Sequence, residues 1–324
     1  MIALNSISFF VPVQPALQEV ETVLHSQAEH AQPDLRVAVE HLLSSGGKRM
    51  RPMVCLLTGQ MLGADHDKLI SVAAAIEMLH TATLVHDDLI DGALLRRGMP
   101  TLNARWSPAA TILTGDYMFA RAAKLAAETD SLPLMKLFSE TLAIIVNGEL
   151  TQLFTSRGVI SRENYDRRIY AKTASLFEMT TSAAALVSPV GEATVEAMRQ
   201  YGHNLGMAFQ IVDDVLDFTG EQETVGKPVG SDLLQGLVTL PAIYYAEAHP
   251  NDPDVLCLTG GCYTEQERME RLVQSIRSSN ATSNSMKEAQ KFIAKAQDIL
   301  KTMPACQERQ ALEELSDYIV NRSI

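Results

Sequence analysis

Two long apolar stretches of this chain run into the same acidic pattern, and that repetition constrains the fold more than any other feature. Leu69 to Val85 leads into His86-Asp87-Asp88-Leu89-Ile90-Asp91, and Gly202 to Leu216 closes within Asp213-Asp214-Val215-Leu216-Asp217. Apolar residues recur at three- and four-residue intervals through both, which is the period of a helix. A helix apolar on nearly every side belongs in the middle of a bundle or at a subunit interface. In each Asp-Asp-x-x-Asp the first and last Asp lie one turn apart on one face. The remaining Asp points about 100° away.

Such clusters are costly. A carboxylate at a helix C-terminus opposes the macrodipole by about 0.3–1 kcal/mol, and crowded carboxylates repel one another unless cations occupy them. One cluster in a chain of net charge −12 would ordinarily be a solvated helix end. The same costly pattern twice, each time closing an apolar helix, points instead to bound cations. Rakes of hard oxygen ligands suit Mg²⁺ and suit softer metals poorly. Two of them can hold a polyanionic ligand through bridging Mg²⁺.

The rest of the chain also reads as helix. Of its 324 residues 46% are hydrophobic and only 6% aromatic, which favours helices over sheet. Helical periods mark Asp34 to Leu43, Met53 to Leu62, Leu69 to about Ile90, Ala109 to Ala127, Leu132 to Leu153, Arg162 to Ser188 and Glu192 to Phe218. Others follow at Leu237 to Ala248, Glu265 to Ser278, Ser285 to Met303 and Glu308 to Arg322. Ser44 to Gly47, Gly92, Gly98 to Pro100, Gly220, Pro250 to Gly261 and Asn280 to Asn284 separate them. The expectation is one all-α domain over residues 1–324, its first 20 residues an extension.

The acidic balance argues against a nucleic-acid partner. Cys55, Cys257, Cys262 and Cys306 have no metal-ligand spacing and form no dense disulfide framework, so the expected compartment is the cytoplasm. The apolar patch Ile7 to Val13 lacks a preceding Lys or Arg, unlike a secretory signal. No apolar run approaches the roughly 20 residues of a membrane span. Contact with a membrane surface during product release stays open.

Cations complement the acids. Gly46-Gly47-Lys48-Arg49-Met50-Arg51-Pro52 joins two helices, with glycines that admit close approach of a ligand to the backbone. Arg96-Arg97-Gly98 follows the first cluster, Lys172-Thr173 lies on a later helix, and Lys227 follows the second cluster by ten residues. Singly, each is an ordinary surface charge; beside two acidic clusters they suit a phosphate ligand. His80, two turns before Asp87, and Gln210, three residues before Asp213, are unremarkable taken alone.

Together these residues resemble a family, the trans-isoprenyl diphosphate synthases. The resemblance rests on Gly46 to Pro52, His80 to Asp91, Arg96-Arg97-Gly98 and Phe209 to Asp217, in the family's order and spacing, and runs from about residue 35 to the C-terminus. It implies antiparallel helices around a deep central cavity, usually as a homodimer. The implied activity is condensation of isopentenyl diphosphate with an allylic diphosphate, dependent on several Mg²⁺ ions. By motif, Asp87, Asp91 and Asp213 would ligate Mg²⁺ on the allylic diphosphate, and Asp88 and Asp217 would support that shell directly or through water. Arg96, Lys172 and Lys227 would contact the same diphosphate. Lys48, Arg51, His80 and Arg97 would bind that of isopentenyl diphosphate, and Thr173 and Gln210 would line the reacting centre. Ala82 and Thr83, where the family often places a bulky residue to stop elongation, are small here, which implies a product beyond C20. A geranylgeranyl or farnesyl diphosphate synthase is the alternative.

One departure stands out. Many members carry a further Lys in the segment after the second Asp motif, where this chain has Leu237. Rival readings are a terpene cyclase, whose second metal motif mixes Asn, Ser or Thr and Glu, and a di-metal carboxylate bundle. Glu77-Met78-Leu79-His80 matches the Glu-x-x-His of the latter, but a second such motif is missing from the sequence. An inactive subunit of a heteromeric synthase would generally lose its Asp motifs, and both are kept.

Overall fold

The computed structural model describes residues 8–29, 31–44, 47–96, 98–154, 158–220, 229–261 and 264–322. Among them the only strands are a two-stranded antiparallel hairpin, β1 (Leu95–Arg96) with β2 (Met99–Pro100). The all-α expectation therefore holds. A 3₁₀ turn, Ser8–Val13, precedes the helices α1 (Gln14–Ser26), α2 (Pro33–Ser44), α3 (Met50–Met61) and α4 (His66–Ile90). After the hairpin come α5 (Leu102–Arg105), α6 (Pro108–Ala127), α7 (Leu132–Phe154) and α8 (Arg162–Ile169). A π turn, Tyr170–Ala174, leads into α9 (Ser175–Leu186) and α10 (Glu192–Thr219). The chain continues through α11 (Ser231–Leu234), α12 (Leu240–Ala248), α13 (Pro253–Thr259), α14 (Gln266–Ser278), α15 (Ala281–Leu300) and α16 (Gln307–Asn321).

The chain forms two compact units. The first comprises residues 1–141, 178–199 and 300–314. Its centre is α4, against which α6, α3 and α1 pack. Asp65 caps α4 by accepting the Lys68 N–H at 3.0 Å, and the helix runs 25 residues with neither Gly nor Pro. It stops because Gly92 adopts a left-handed φ of 64°. Gly92 N–H then returns to Leu89 O at 3.2 Å and Ala93 N–H to Asp88 O at 2.9 Å, the paired bonds of a Schellman end. The acidic pattern thus occupies the last turn of α4. This helix is long and apolar enough to cross a membrane, contrary to the sequence expectation, but 72% of its apolar window is buried inside the protein, as for a core helix.

The second unit comprises residues 142–177, 200–299 and 315–324. The sequence reads Arg162 to Ser188 as one helix; the structure interrupts it with the π turn. A Cβ on Gly148 of α7 would lie 2.4 Å from Ala171 Cβ, and one on Gly206 of α10 would lie 2.5 Å from Ala174 Cα. Two glycines therefore let two helices press on the turn that carries Lys172 and Thr173. Single π turns often mark functional sites.

Three other boundaries differ from expectation. The segment Gln14–Ser26 is helical, with Ala16, Val20 and Leu24 buried on one four-residue stripe. Pro250 to Gly261 contains α13, begun by Asp252, which accepts from the N–H groups of Asp254 and Val255, and by a Pro suited to the first turn. Asn284 lies inside α15, because the Ser279 hydroxyl already accepts the Ala281 N–H at 3.1 Å and starts the helix upstream.

Candidate active site

In the first unit the middle acid of the cluster points inward. Asp88 is 6% exposed, and its two oxygens accept from Arg96 Nε at 2.8 and 3.0 Å. Arg96 Nη2 lies 2.8 Å from the same carboxylate. Asp87 is half-buried and Asp91 exposed. The hairpin thus delivers Arg96 to the acidic turn, whereas Arg97 lies outside the described residues.

The basic loop divides its cations between two tasks. Arg49, at a left-handed φ of 46°, turns into the protein. Its guanidinium donates to Glu21 at 2.6 Å, Glu77 at 2.8 Å and Leu43 O at 2.8 Å. Burial alone would lower the Arg49 pKa; Glu21 and Glu77 more than reverse that and raise it. Glu77 is thereby committed to a structural ion pair. Arg51 Nη1 meets His80 Nε2 at 3.0 Å, so two of the expected diphosphate ligands are brought together, and Lys48 is exposed beside them in sequence. A cavity of about 40 Å³, lined in part by Arg49, His80, Asp88 and Arg96, has room for about one water. Ala82 is wholly enclosed at 0%, whereas Thr83 is half-buried and donates its hydroxyl to His80 O at 2.7 Å.

In the second unit a relay of hydrogen bonds ends on the middle acid. Thr173 donates to Gln210 Oε1 at 2.6 Å, Gln210 Nε2 to Asp214 Oδ1 at 2.8 Å, and the Tyr165 hydroxyl to Asp214 Oδ2 at 2.7 Å. Once Asp214 has lost its proton, its carboxylate only accepts. It therefore fixes the Gln210 amide nitrogen toward itself and the amide oxygen toward Thr173. The Thr173 proton is thereby committed to Gln210. Burial raises the Asp214 pKa to about 7, helped by the charge of Asp232 and opposed by the bonds from Gln210 and Tyr165. Burial, then Asp214, raises the Tyr165 pKa well above its usual value, so Tyr165 stays a donor.

The flanking acids have protein partners too. Asp217 accepts from Ser231 N–H and hydroxyl at 3.2 and 2.9 Å and from Asp232 N–H at 3.3 Å, capping α11. Asp213 Oδ1 accepts from Arg322 at 2.6 Å. Lys172, on the π turn, lies 3.2 Å from Glu149 of α7. Lys227 lies outside the described residues. Sequence reading missed Tyr165, Glu149 and Arg322, which reach the site from distant segments and carry no local pattern.

Among the described residues no three His, Cys, Asp or Glu side chains converge as a cation cage. In each cluster the middle Asp is buried and bonded to protein donors, and the two flanking carboxylates stand one turn apart as a rim, which in the second cluster also holds Arg322 and the start of α11. Such a rim fits Mg²⁺, which keeps waters and takes oxygens from a phosphate ligand rather than an all-protein shell.

Comparison with known proteins agrees with this inventory. Residues 32–276 match the polyprenyl synthetase family. Heptaprenyl diphosphate synthase component 2 of Bacillus subtilis (strain 168) is 37% identical over 304 residues, 94% of this chain and 87% of that protein. The octaprenyl diphosphate synthase of Haemophilus influenzae is 34% identical over 315 residues, 95% of this chain and 94% of that one. A crystal structure of a polyprenyl synthase from Caulobacter crescentus CB15, complexed with calcium and isoprenyl diphosphate, has a TM-score of 0.90 at 34% identity, covering 99% of this chain and 98% of that one. Neither the terpene-cyclase nor the di-metal reading survives these matches: the chain belongs to the polyprenyl synthetase family and is a trans-prenyltransferase that condenses isopentenyl diphosphate with an allylic diphosphate.

Proposed function

We propose that this prenyltransferase is Mg²⁺-dependent and makes all-trans polyprenyl diphosphates longer than C20. The observation that carries the length is the floor of α4: Thr83 is small and half-buried, about 6–8 Å below the acidic turn at 1.5 Å per residue. The heptaprenyl and octaprenyl activities in the names of the relatives above support the same length. Calcium beside isoprenyl diphosphate in the Caulobacter relative supports a hard divalent cation.

In this reading Asp87, Asp91, Asp213 and Asp217 hold Mg²⁺, which when bound neutralises charge on the leaving diphosphate. Asp88 acts through Arg96, holding its guanidinium toward the allylic diphosphate. Lys172, kept in place by Glu149, adds a cation to the same group, as does Lys227. Lys48, Arg51, His80 and Arg97 bind the diphosphate of isopentenyl diphosphate. The allylic C–O bond breaks with its electron pair going to diphosphate. The double bond of isopentenyl diphosphate forms the new C–C bond, and the released diphosphate accepts the proton lost. Thr173 and Gln210 present oxygen to the cation, while apolar walls exclude water. A homodimer is the proposed state, since α6 leaves Leu113 66% and Ile112 44% exposed, apolar area that a second copy would cover. The proposed compartment is the cytoplasm, with product passed to a membrane surface.

Chromatography of products from labelled isopentenyl diphosphate, with geranyl or farnesyl diphosphate as primer, tests the reading. Products beyond C20 that vanish in EDTA are expected. Products of C20 or less would overturn the length, and full activity in EDTA would overturn the metal.

A further inference from the structure

We propose that Glu21 of α1 is a positioning residue for isopentenyl diphosphate: together with Glu77 it clamps the Arg49 guanidinium and so fixes the course of the basic loop that carries Lys48 and Arg51. This rests on the reading that the loop binds that diphosphate. Its anchor, Glu21, lies before the family match over residues 32–276.

Arg49 breaks two local rules at once. It holds the left-handed φ of 46° and ψ of 37° at the entrance to α3, where glycine sits without strain and any other L-residue is strained. It also lacks the side-chain acceptor that a helix start favours, and no side-chain cap bond forms there. Its carbonyl accepts the Met53 N–H at 3.0 Å, the bond that opens α3. Lys48 comes just before this bend and Arg51 just after it, inside the first turn of α3. The bend therefore sets how the two cations are placed relative to each other.

The side chain supplies what the backbone lacks. Arg49 Nε and Nη2 both reach Glu21, at 2.6 and 3.3 Å, while Nη1 reaches Glu77 at 2.8 Å and Nη2 also donates to Leu43 O at 2.8 Å. One planar guanidinium thus ties α1, the end of α2 and α4 to the start of α3, all within the first unit. Glu77, 6% exposed, already balances the charge of Arg49. Glu21 is not needed for neutrality. By spanning Nε and Nη2 it grips a second edge of the fork, which stops the group from swinging about its bond to Glu77.

Glu77 links the clamp to the substrate side. It lies three residues before His80 on α4, a spacing that puts both on one face, and His80 Nε2 stands 3.0 Å from Arg51 Nη1. One turn of α4 thus holds the bend through Arg49 and also meets Arg51 of the same loop. Without Glu21, Arg49 keeps a single acid and the bend loses part of what offsets its strain. Lys48 and Arg51 then offer a diphosphate a looser pair of charges.

The test is steady-state kinetics of the full-length protein with isopentenyl diphosphate and farnesyl diphosphate in saturating Mg²⁺, alongside melting curves. Wild type, Glu21→Ala, Glu21→Gln, Arg49→Gly and Lys48→Ala are compared. Alanine suits a helix interior, so Glu21→Ala leaves α1 intact. It is expected to raise KM for isopentenyl diphosphate about fivefold, while KM for farnesyl diphosphate and kcat change by less than about twofold. Glu21→Gln, which keeps one acceptor, should fall in between. Arg49→Gly removes the clamp but leaves a backbone at ease in the bend, and a rise at least as large is expected. A wild-type KM for isopentenyl diphosphate in folded Glu21→Ala would overturn the proposal. So would an equal rise of both KM values, or a lower kcat with a lower melting temperature, which a role in general stability would produce. Should Glu21→Ala fail to fold, Glu21→Gln decides: a rise of about twofold confined to isopentenyl diphosphate supports the clamp, and a wild-type KM overturns it. Lys48→Ala reports on the underlying reading. If it leaves KM for isopentenyl diphosphate unchanged, the loop does not bind that diphosphate and the proposal falls with the reading. If it raises that KM while Glu21→Ala does not, the proposal alone falls.

Discussion

The first acidic cluster takes its partners from its own neighbourhood, whereas the second gathers them from across its unit. Asp88 is held by Arg96, eight residues on. Asp214 is held by Tyr165, 49 residues before it, and Asp213 by Arg322, 109 residues after it. The same five-residue pattern therefore sits in two chemical settings. The buried acid of the first cluster meets a full positive charge. Its counterpart meets neutral donors and a neighbouring carboxylate, and its pKa climbs to about 7. One middle Asp holds an Arg beside the acidic turn; the other orders a hydrogen-bond relay ending at Thr173. A sequence pattern can fix which atoms are present without fixing what they are for.

The largest expected effect treats the two clusters alike. Asp87→Ala and Asp213→Ala should each lower kcat by roughly a thousandfold or more, about 4 kcal/mol of transition-state stabilisation, while circular dichroism stays helical. A hundredfold difference between the two variants in saturating Mg²⁺ would show that one cluster carries the chemistry and the other mainly binding.

The middle acids should differ in how they fail. Asp88→Asn leaves a half-exposed Arg96 without its counter-charge and should cost about 1–3 kcal/mol, less than breaking a fully buried pair. It should also raise KM for the allylic diphosphate, since Arg96 loses its position. Asp214→Asn mismatches one donor of the relay and should lower kcat more than KM. Stability adds a sign. With metal removed by EDTA, folded Asp214 keeps its proton up to about pH 7, whereas an unfolded Asp releases it near 3.8. Between those values the unfolded chain binds fewer protons, so Asp214 makes unfolding easier as pH rises from about 4 to 7 and adds no further slope above. Urea unfolding of Asp214→Asn should show less of this decline than wild type, and equal slopes would place the titration elsewhere.

How much of this was legible in the sequence follows the same divide. The end of α4 is local: the Asp pattern, Gly92 and the apolar period lie within one stretch, and the structure places each where the pattern does. The π turn was not legible, because Ile169 to Ser175 reads as ordinary helix. Its cause is tertiary, the close approach of Gly148 to Ala171 and of Gly206 to Ala174. Tyr165 and Arg322 were invisible for a related reason, since a lone Tyr or Arg on a helix period carries no signal about a carboxylate on another element. Gln14–Ser26 carries little helical signal in the sequence because its apolar stripe, Ala16, Val20 and Leu24, is narrow and lies next to a Pro-interrupted start.

Burial also changes which residue on α4 best tests product length. Ala82 and Thr83 are equally small in sequence, but Ala82 is fully enclosed. A phenyl ring at 82 would overpack the core by about 1–3 kcal/mol and confuse misfolding with shortening. Thr83 is reachable, so Thr83→Phe should shorten the product distribution and reduce the first condensation by no more than about tenfold. An unchanged distribution in a folded, active Thr83→Phe enzyme would move the floor deeper or to another helix.

The smallest effect is expected at Leu237, and its meaning depends on Arg322. If Arg322 already supplies the positive charge, a second cation there adds little. Leu237→Lys alone should change allylic-diphosphate affinity by no more than about tenfold, or 1.4 kcal/mol. Leu237 is half-buried rather than enclosed, so the Lys stem can lie along apolar surface while the ammonium reaches polar surroundings. In an Arg322→Gln background the same substitution restores a positive charge to the second unit and should have a larger effect than in wild type. That coupling, read as a double-mutant cycle, sharpens the contrast between the clusters. The first pairs its buried acid with an Arg from the hairpin next to it, and the second pairs Asp213 with Arg322 from a distant segment. Equal effects of Leu237→Lys in both backgrounds would mean that the two positions act independently.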